Sequence, residues 1–465
     1  MRLITCFVAS LLWISPWAHA ASLQLPPSQT YTLDNGARVI LTPSHDVPMI
    51  VAKIAIRGGA LADAQGKEGS AALLSDLLLK GAGSRDAKAF VEASADVGGE
   101  LSLSTAREAL WASANFHATD ADLMLSLLAD ALQRPHLAQA EFDKLQTRAI
   151  QSLAAVKDGD PRALLTTYGD AWLFRNHPYG RPVKGSEASL KAITLDDLKQ
   201  YFRAQVGADR AIISIAGDFD PNIMRGAVQK AFGEWHKASA AEPSVVAAER
   251  QSGARVLLVD KPGATQTYFW IGQVGVAIDD PAYAAQNLVQ TLFGGRFTSM
   301  LNTELRVKSG LTYGAGAGLA RFAQPGAAYW FSYTRTDATA KAIDLGLEVQ
   351  ARLQQQALST AQITSARNYV LGQFAPNYQT LEQIAEALAN LVLYHQDRAR
   401  LESYDAALAD ATNEAVNAAR AVFPAGRDYA MVVIGDAQLI GKDISRYGQV
   451  TRMRITDPGF LPAAQ

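Results

Sequence analysis

The stretch AIISIAGD (Ala211–Asp218) recurs as AMVVIGD (Ala430–Asp436), and the fold turns on how far that likeness extends. Both read as β-rich runs ending on a Gly-Asp pair. Working back from Gly217-Asp218 and Gly435-Asp436, the residues Leu190, Thr194 and Leu198 are answered by Leu408, Thr412 and Val416, all at an offset of 218. Each Thr stands where it can cap the helix ahead of its strand. Far upstream, GARVI (Gly36–Ile40) returns as GARVL (Gly253–Leu257), an offset of 253 − 36 = 217. Chance can give one such match. Two ends of a unit agreeing on one offset point to a duplicated chain.

The duplication predicts two homologous halves, over residues 21–235 and 255–465. The linker is expected at 236–254, where HKASAAEPSVVAAERQSGA is rich in Ala, Ser and charge. Amphipathic helical patterns fill 121–134, 141–156, 381–395 and 399–421. LTYGAGAGLARFAQPGAAYWFSYT reads as a hairpin turning at Gln324-Pro325-Gly326. Strands and helices mix without strict alternation, so the fold class expected is α+β with antiparallel-rich sheets packed by helices.

A chain of 465 residues, 49% hydrophobic and 19% charged, is ample for a large core and too long for one ordinary domain. Its net charge of -2 gives no electrostatic footprint for nucleic acid or an anionic membrane surface. MRLITCFVASLLWISPWAHA (residues 1–20) has one basic residue, an apolar run and Ala18-His19-Ala20, which reads as a signal peptide cleaved after Ala20. The run is too short to span a bilayer, and no other segment qualifies as a span. Cys6, the only cysteine, precedes the apolar run, which argues against a lipoprotein and leaves a mature chain with no thiol. Export across the inner membrane to a bacterial periplasm is the expectation.

The segment GKEGSAALLSDLLLKGAG (Gly66–Gly83) is helical in pattern. Leu73, Leu74, Leu77 and Leu78 form an apolar stripe, with Ala72, Ser75, Asp76 and Leu79 beside it. On a metallopeptidase helix such spacing brings two histidines and a glutamate to one ion. Here the positions hold Ala, Ser and Asp. The mature histidines His45, His117, His136, His177, His236 and His395 are isolated, none four residues from another. No Gly-x-Ser-x-Gly elbow and no phosphate-cradling Gly-Lys-Ser/Thr loop appears. GAGAG (Gly314–Gly318) precedes a hairpin and does not open a helix, so it does not read as nucleotide-binding.

The mature chain resembles the pitrilysin family of inverted-zincin peptidases, which includes insulysin and the mitochondrial processing peptidase. The resemblance is carried by YTLDNGARVILTPSHDVP, by IRGGALADAQGKEGSAALLSDLLLKGAG, by VEASADVGGELSLSTARE and by NHPYGRPVKGS. In the second half LFGGRFTSMLNTELRVKSGLTYGAGAG looks like the family's second signature, an Arg near a helix end with a Tyr seven residues on, here Arg306 and Tyr313. The resemblance implies two similar halves forming half of a clamshell. It also shows what is lost. Active members carry His-x-x-Glu-His, two His on zinc and the Glu as general base, with a distant Glu completing the site. Those positions fall on Ala72, Ser75 and Asp76, and the distant one near Ser152-Leu153. The implied reading is a degenerate motif that binds no metal, in a chain with no catalytic residues of its own.

Arg306 and Tyr313 keep the chemistry of substrate handling, since a guanidinium and a phenol can grip peptide carbonyls or a developing oxyanion. A second reading of the pair also stands: Arg306 neutralises a helix C-terminus and Tyr313 fills a sheet edge. In GAGAG the glycines leave one strand face bare, either for an incoming peptide strand or for tight packing. Two functions are compatible with these residues. One is the zinc-free, substrate-binding subunit of an exported heterodimeric metallopeptidase, lending Arg306 and Tyr313 to a homologous partner's Zn2+ site for peptide hydrolysis. The other is a non-catalytic peptide-binding or scaffold protein of the same fold.

Overall fold

The computed structural model describes residues 23–462, so the export signal read over 1–20 lies outside the described residues. The first sheet contains β1 (Gln29–Thr32), β2 (Arg38–Pro43), β3 (Met49–Arg57), β4 (Glu100–Thr105), β5 (Ala109–His117) and β6 (Ala211–Gly217), in the order β1-β2-β6-β3-β5-β4. The second contains β7 (Arg255–Asp260), β8 (Gln266–Val274), β9 (Ala315–Arg321), β10 (Pro325–Arg335), β11 (Ala430–Gly435) and β12 (Gln449–Arg454), in the order β12-β7-β11-β8-β10-β9. With the strands β1 and β12 set aside, the two orders are the same. The fold is α+β.

The likeness extends to register. Ala55 lies opposite Ile212 in the first sheet and Gly272 opposite Ala430 in the second, which are offsets of 272 − 55 = 217 and 430 − 212 = 218. Gly217 ends β6 alongside β2, and Gly435 ends β11 alongside β7, both pairs parallel. Their carbonyls accept the N–H groups of Ser44 and Lys261, each at 2.8 Å. The outermost strands break the symmetry: β1 runs antiparallel to β2, whereas β12 runs parallel to β7. Residues 236–254 carry no helix or strand.

Five helices frame the motif positions and the joint between the halves: α1 (Ser70–Leu78), α2 (Gln139–Gly159), α3 (Leu165–Phe174), α4 (Leu195–Gln205) and α5 (Tyr283–Gln290). A sixth, α6 (Leu381–Leu393), completes the set. Thr194 caps α4 by accepting the Asp197 N–H, and Thr412 caps the helix Asn413–Ala419 by accepting the Ala415 N–H, as the repeat predicts. On one face of each sheet lies a large core built with its own half's helices. The opposite faces are covered reciprocally. From the first half, α3 packs on the second sheet, against Trp270, Val432 and Ile434. From the second half, α6 packs on the first sheet, against Ala55, Ile212 and Ala216. These two helices begin at equivalent positions, 381 − 165 = 216, so each half finishes the other's core.

Two local expectations are corrected. The pattern over 399–421 is broken into Ala399–Glu402, Tyr404–Asp410 and Asn413–Ala419. The cap itself causes the second break, because Thr412 must be extended (φ −66°, ψ 158°) to serve the helix that follows it. The hairpin bends at residues 322–324, and Pro325 already begins β10. Proline lacks an N–H and is tolerated at a strand's first residue.

Candidate functional site

Helix α1 is started from a distance. Both oxygens of buried Asp63 accept backbone N–H groups, from Gly69 and from Ala71, each at 2.8 Å. Burial pushes the Asp63 carboxyl up to about 7, against the pull of those two donors. Gly69 has φ 98°, and a Cβ there would lie 2.9 Å from Gly185 Cα, so the turn into the helix requires glycine. Leu73, Leu74, Leu77 and Leu78 are all buried, as the stripe predicts.

The second stripe is wall, not site. The buried Ser75 hydroxyl donates to the Ala71 carbonyl (2.9 Å) and lies 2.6 Å from the Thr105 hydroxyl at the end of β4. Asp76 is exposed; partial desolvation holds its carboxyl above the ordinary range, opposed by Lys80, Lys184 and Arg148. On α2, Ser152 is exposed and Leu153 packs its side chain into the core. Ala72 offers no lone pair, Ser75 is spent on hydrogen bonds, and the one carboxylate faces three cations. A zinc ion needs a closed set of N, S or O ligands, and these residues do not fit one. Among the described residues no three His, Cys, Asp or Glu side chains converge for a metal. The histidines hold local structure: His45 meets Asp218 (2.6 Å), His136 the Gly83 carbonyl (2.9 Å) and His177 the Val246 carbonyl (2.8 Å).

The second-half signature sits on an irregular turn. Residues Thr303–Lys308 form a short π-helical segment that ends at Ser309, and Arg306 lies in its last turn. Glu304, the carboxylate on the same segment, is taken by Lys308 (3.0 Å) and Arg352 (3.3 Å). The Arg306 guanidinium instead lies over the Phe297 ring, 4.8 Å from its centroid. Tyr313 is 79% exposed, so it fills no sheet edge. Phe297 (58% exposed) and Val307 (61%) add exposed apolar surface beside Arg306.

GAGAG resolves into two kinds of packing. A Cβ at Gly316 would lie 2.9 Å from the Phe331 ring, and one at Gly318 2.6 Å from the Tyr329 ring. The glycine face is therefore filled from the neighbouring strand. Ala315 and Ala317 are buried on the other face, where a Cβ on Gly294 would lie 2.3 Å from the Ala317 nitrogen. The outer edge of β9 is partly covered as well, since Asn302 accepts the Ala315 N–H (3.0 Å) and Gln290 donates to the Ala317 carbonyl (2.7 Å).

Sequence reasoning missed the polar joint between the halves. Glu108, buried in the turn after β4, accepts the Tyr179 hydroxyl (2.6 Å) and the N–H of Ala323 in the second half's hairpin (3.0 Å). Arg107 beside it pairs with Asp170 of α3 at 2.9 Å. A charged pair just after a β-strand is the one signal that pointed there.

Comparison with known proteins fits this geometry. Residues 38–187 match the family model described as Insulinase (Peptidase family M16), and residues 192–370 match the Peptidase M16 inactive domain. The chain belongs to peptidase family M16. It is 28% identical over 297 residues to an uncharacterised zinc protease of Mycobacterium leprae, covering 64% of this chain and 66% of that one, a little under two thirds of its length. It is 23% identical to a Helicobacter pylori protein named a non-peptidase homolog, covering 72% of this chain and 77% of that one. The crystal structure of a peptidase M16 inactive domain from Pseudomonas fluorescens superposes with a TM-score of 0.82 at 21% identity, covering 88% of this chain and 98% of that one. That likeness shows the fold.

Proposed function

We propose that this chain is the zinc-free, substrate-binding subunit of an exported heterodimeric M16 metallopeptidase, acting in the periplasm beside a homologous subunit that carries the zinc. One observation carries the reading: the motif helix is built into a wall, while Arg306 and Tyr313 remain presented, with the phenol in solvent and the guanidinium held by no carboxylate of its own segment. In such a pair, zinc and its general base activate water in the partner, and this chain holds the peptide and the charge that develops on its carbonyl. The signal-like residues 1–20 support export, and no described helix is long and apolar enough to cross a membrane.

A scaffold or peptide-binding role without catalysis is the second reading, favoured by the relative named a non-peptidase homolog. Co-expression with a neighbouring His-x-x-Glu-His homologue separates the two. The peptidase reading expects a stable complex with zinc in the partner only, and turnover that needs both chains. A partner fully active on its own leaves the scaffold role.

A further inference from the structure

A cleft of about 800 Å³ opens where the second sheet's helices meet α6, and the signature residues do not line it. It lies on the opposite face of β9 from the glycines. Strand side chains alternate, so Arg321 shares the face of Ala317 and Leu319, while Gly316 and Gly318 face Phe331 and Tyr329. Its floor is aromatic. Tyr283 and Tyr404 meet edge-on at 5.6 Å, Phe374 lies tilted against Tyr404 at 4.6 Å, and Tyr378 adjoins Phe374 at 5.0 Å.

Two cations share this floor. The guanidinium carbons of Arg321 and Arg400 lie 4.6 and 4.3 Å from the centroid of the same Tyr283 ring. Each makes one hydrogen bond to an uncharged acceptor: Arg321 to Gln286 (3.2 Å), Arg400 to the Ile278 carbonyl. Arg321 Nε is buried with no acceptor at all. The carboxylates nearby are committed elsewhere. Glu382 and Glu386, on the opposite rim, close on Lys53 of the first sheet at 2.5 and 3.2 Å. Asp280 accepts the Ala282 N–H (2.8 Å) and the Gln286 amide (2.9 Å). Burial and mutual repulsion both press on Arg321, whose guanidinium is held below its ordinary range, first by desolvation. Two like charges over one ring, each hydrogen-bonded only to an uncharged acceptor, are an arrangement that an anion completes.

We infer that this cleft binds a carboxylate joined to an aromatic ring by a short alkyl link, the ring bedded beside Tyr378 and Tyr404 and the carboxylate bridging Arg321 and Arg400. A planar fork presents parallel N–H donors to the two oxygens of a carboxylate, which favours a flat anion over a spherical one. Offset stacking on the tyrosines supplies the rest of the affinity. The same chemistry is offered by a free arylalkanoic acid and by the C-terminus of a peptide ending in Phe or Tyr.

Isothermal titration of the mature chain distinguishes the sources. The probes are N-acetylphenylalanine, its primary amide, a hexapeptide ending in Phe with a free carboxylate, and inorganic phosphate. The acid should bind at least about tenfold more tightly than the amide, because the charge-assisted pair is lost with the carboxylate. Binding of the hexapeptide at equal or higher affinity assigns the site to peptide C-termini, and its exclusion assigns it to small acids. Arg321→Gln and Arg400→Gln should each weaken the acid by roughly tenfold to a hundredfold. Neither should lower the unfolding midpoint, since each relieves repulsion, and Gln396 still donates to the Ile278 carbonyl at 3.2 Å. Equal binding of acid and amide, phosphate binding as tightly as the acid, or wild-type affinity in both Gln variants overturns the assignment.

Discussion

Ser75 on α1 and Thr105 at the end of β4 face each other with their hydroxyls 2.6 Å apart, at the position that the family resemblance gives to a general base. The bond ties the motif helix to the edge strand of the first sheet. A glutamate at Ser75 would have to push a longer, charged side chain into a position that is only 1% exposed.

Ser75→Ala tests that structural role. It removes a buried hydroxyl and leaves Thr105 without its partner, for an expected loss of about 1 kcal/mol, read from urea unfolding. Turnover by a reconstituted pair should be unchanged at temperatures where the variant is folded. A steep fall in turnover at unchanged stability would give Ser75 a part in the chemistry.

Asp63 predicts a pH dependence. Its carboxyl is pushed up to about 7 by burial, whereas the unfolded chain releases the same proton near 4. Between those values the native state holds a proton that the unfolded state has lost, so Asp63's contribution to stability falls as pH rises from about 4 to about 7 and is level above that. Asp63→Asn cannot ionise and turns an amide N–H toward one of two donors, so it is less stable at pH 4. The gap between wild type and variant should narrow across the window. A gap that stays constant would place the Asp63 proton on a group outside this pair of states.

Gly169 reports on the exchange of helices between the halves. It faces the second sheet from α3, and a Cβ there would lie 2.7 Å from the Trp270 ring. Alanine gains up to about 1 kcal/mol of helix preference over glycine, but overpacking a rigid indole costs about 1–3 kcal/mol. Gly169→Ala should therefore be net destabilising, with Trp270 fluorescence altered in the folded state. A stabilised variant would mean that α3 slides freely on the second sheet.

The strands were legible because duplication wrote them twice: the register of Ala55 with Ile212 repeats in Gly272 with Ala430. The reciprocal helices were not. LTTYGDAWLF is buried nearly all round, and such a run names no partner sheet. GAGAG left docking and tight packing both open, because the rings of Tyr329 and Phe331 that fill its bare face come from the next strand. The cleft at Arg321 and Arg400 draws on segments 79 residues apart (400 − 321), and no short motif marks it.

Tyr313 gives the sharpest test of the proposed function. Its side chain is 79% exposed, and removing the hydroxyl disturbs no internal hydrogen bond that holds the fold. Tyr313→Phe should therefore leave stability and subunit pairing unchanged. If the phenol donates to the carbonyl oxygen of a bound peptide as charge builds there, its loss costs about 2.7–4 kcal/mol in the transition state, roughly two to three orders of magnitude in kcat. Arg306→Ala should raise KM as well, because a multi-donor contact with the peptide goes with it. The measurement is steady-state hydrolysis by this chain paired with the proposed zinc-bearing subunit, for wild type and both variants, with sedimentation to confirm that the complexes persist. Wild-type kcat in the Tyr313→Phe pair removes the substrate-gripping role and leaves the surface around Phe297 as a contact between proteins.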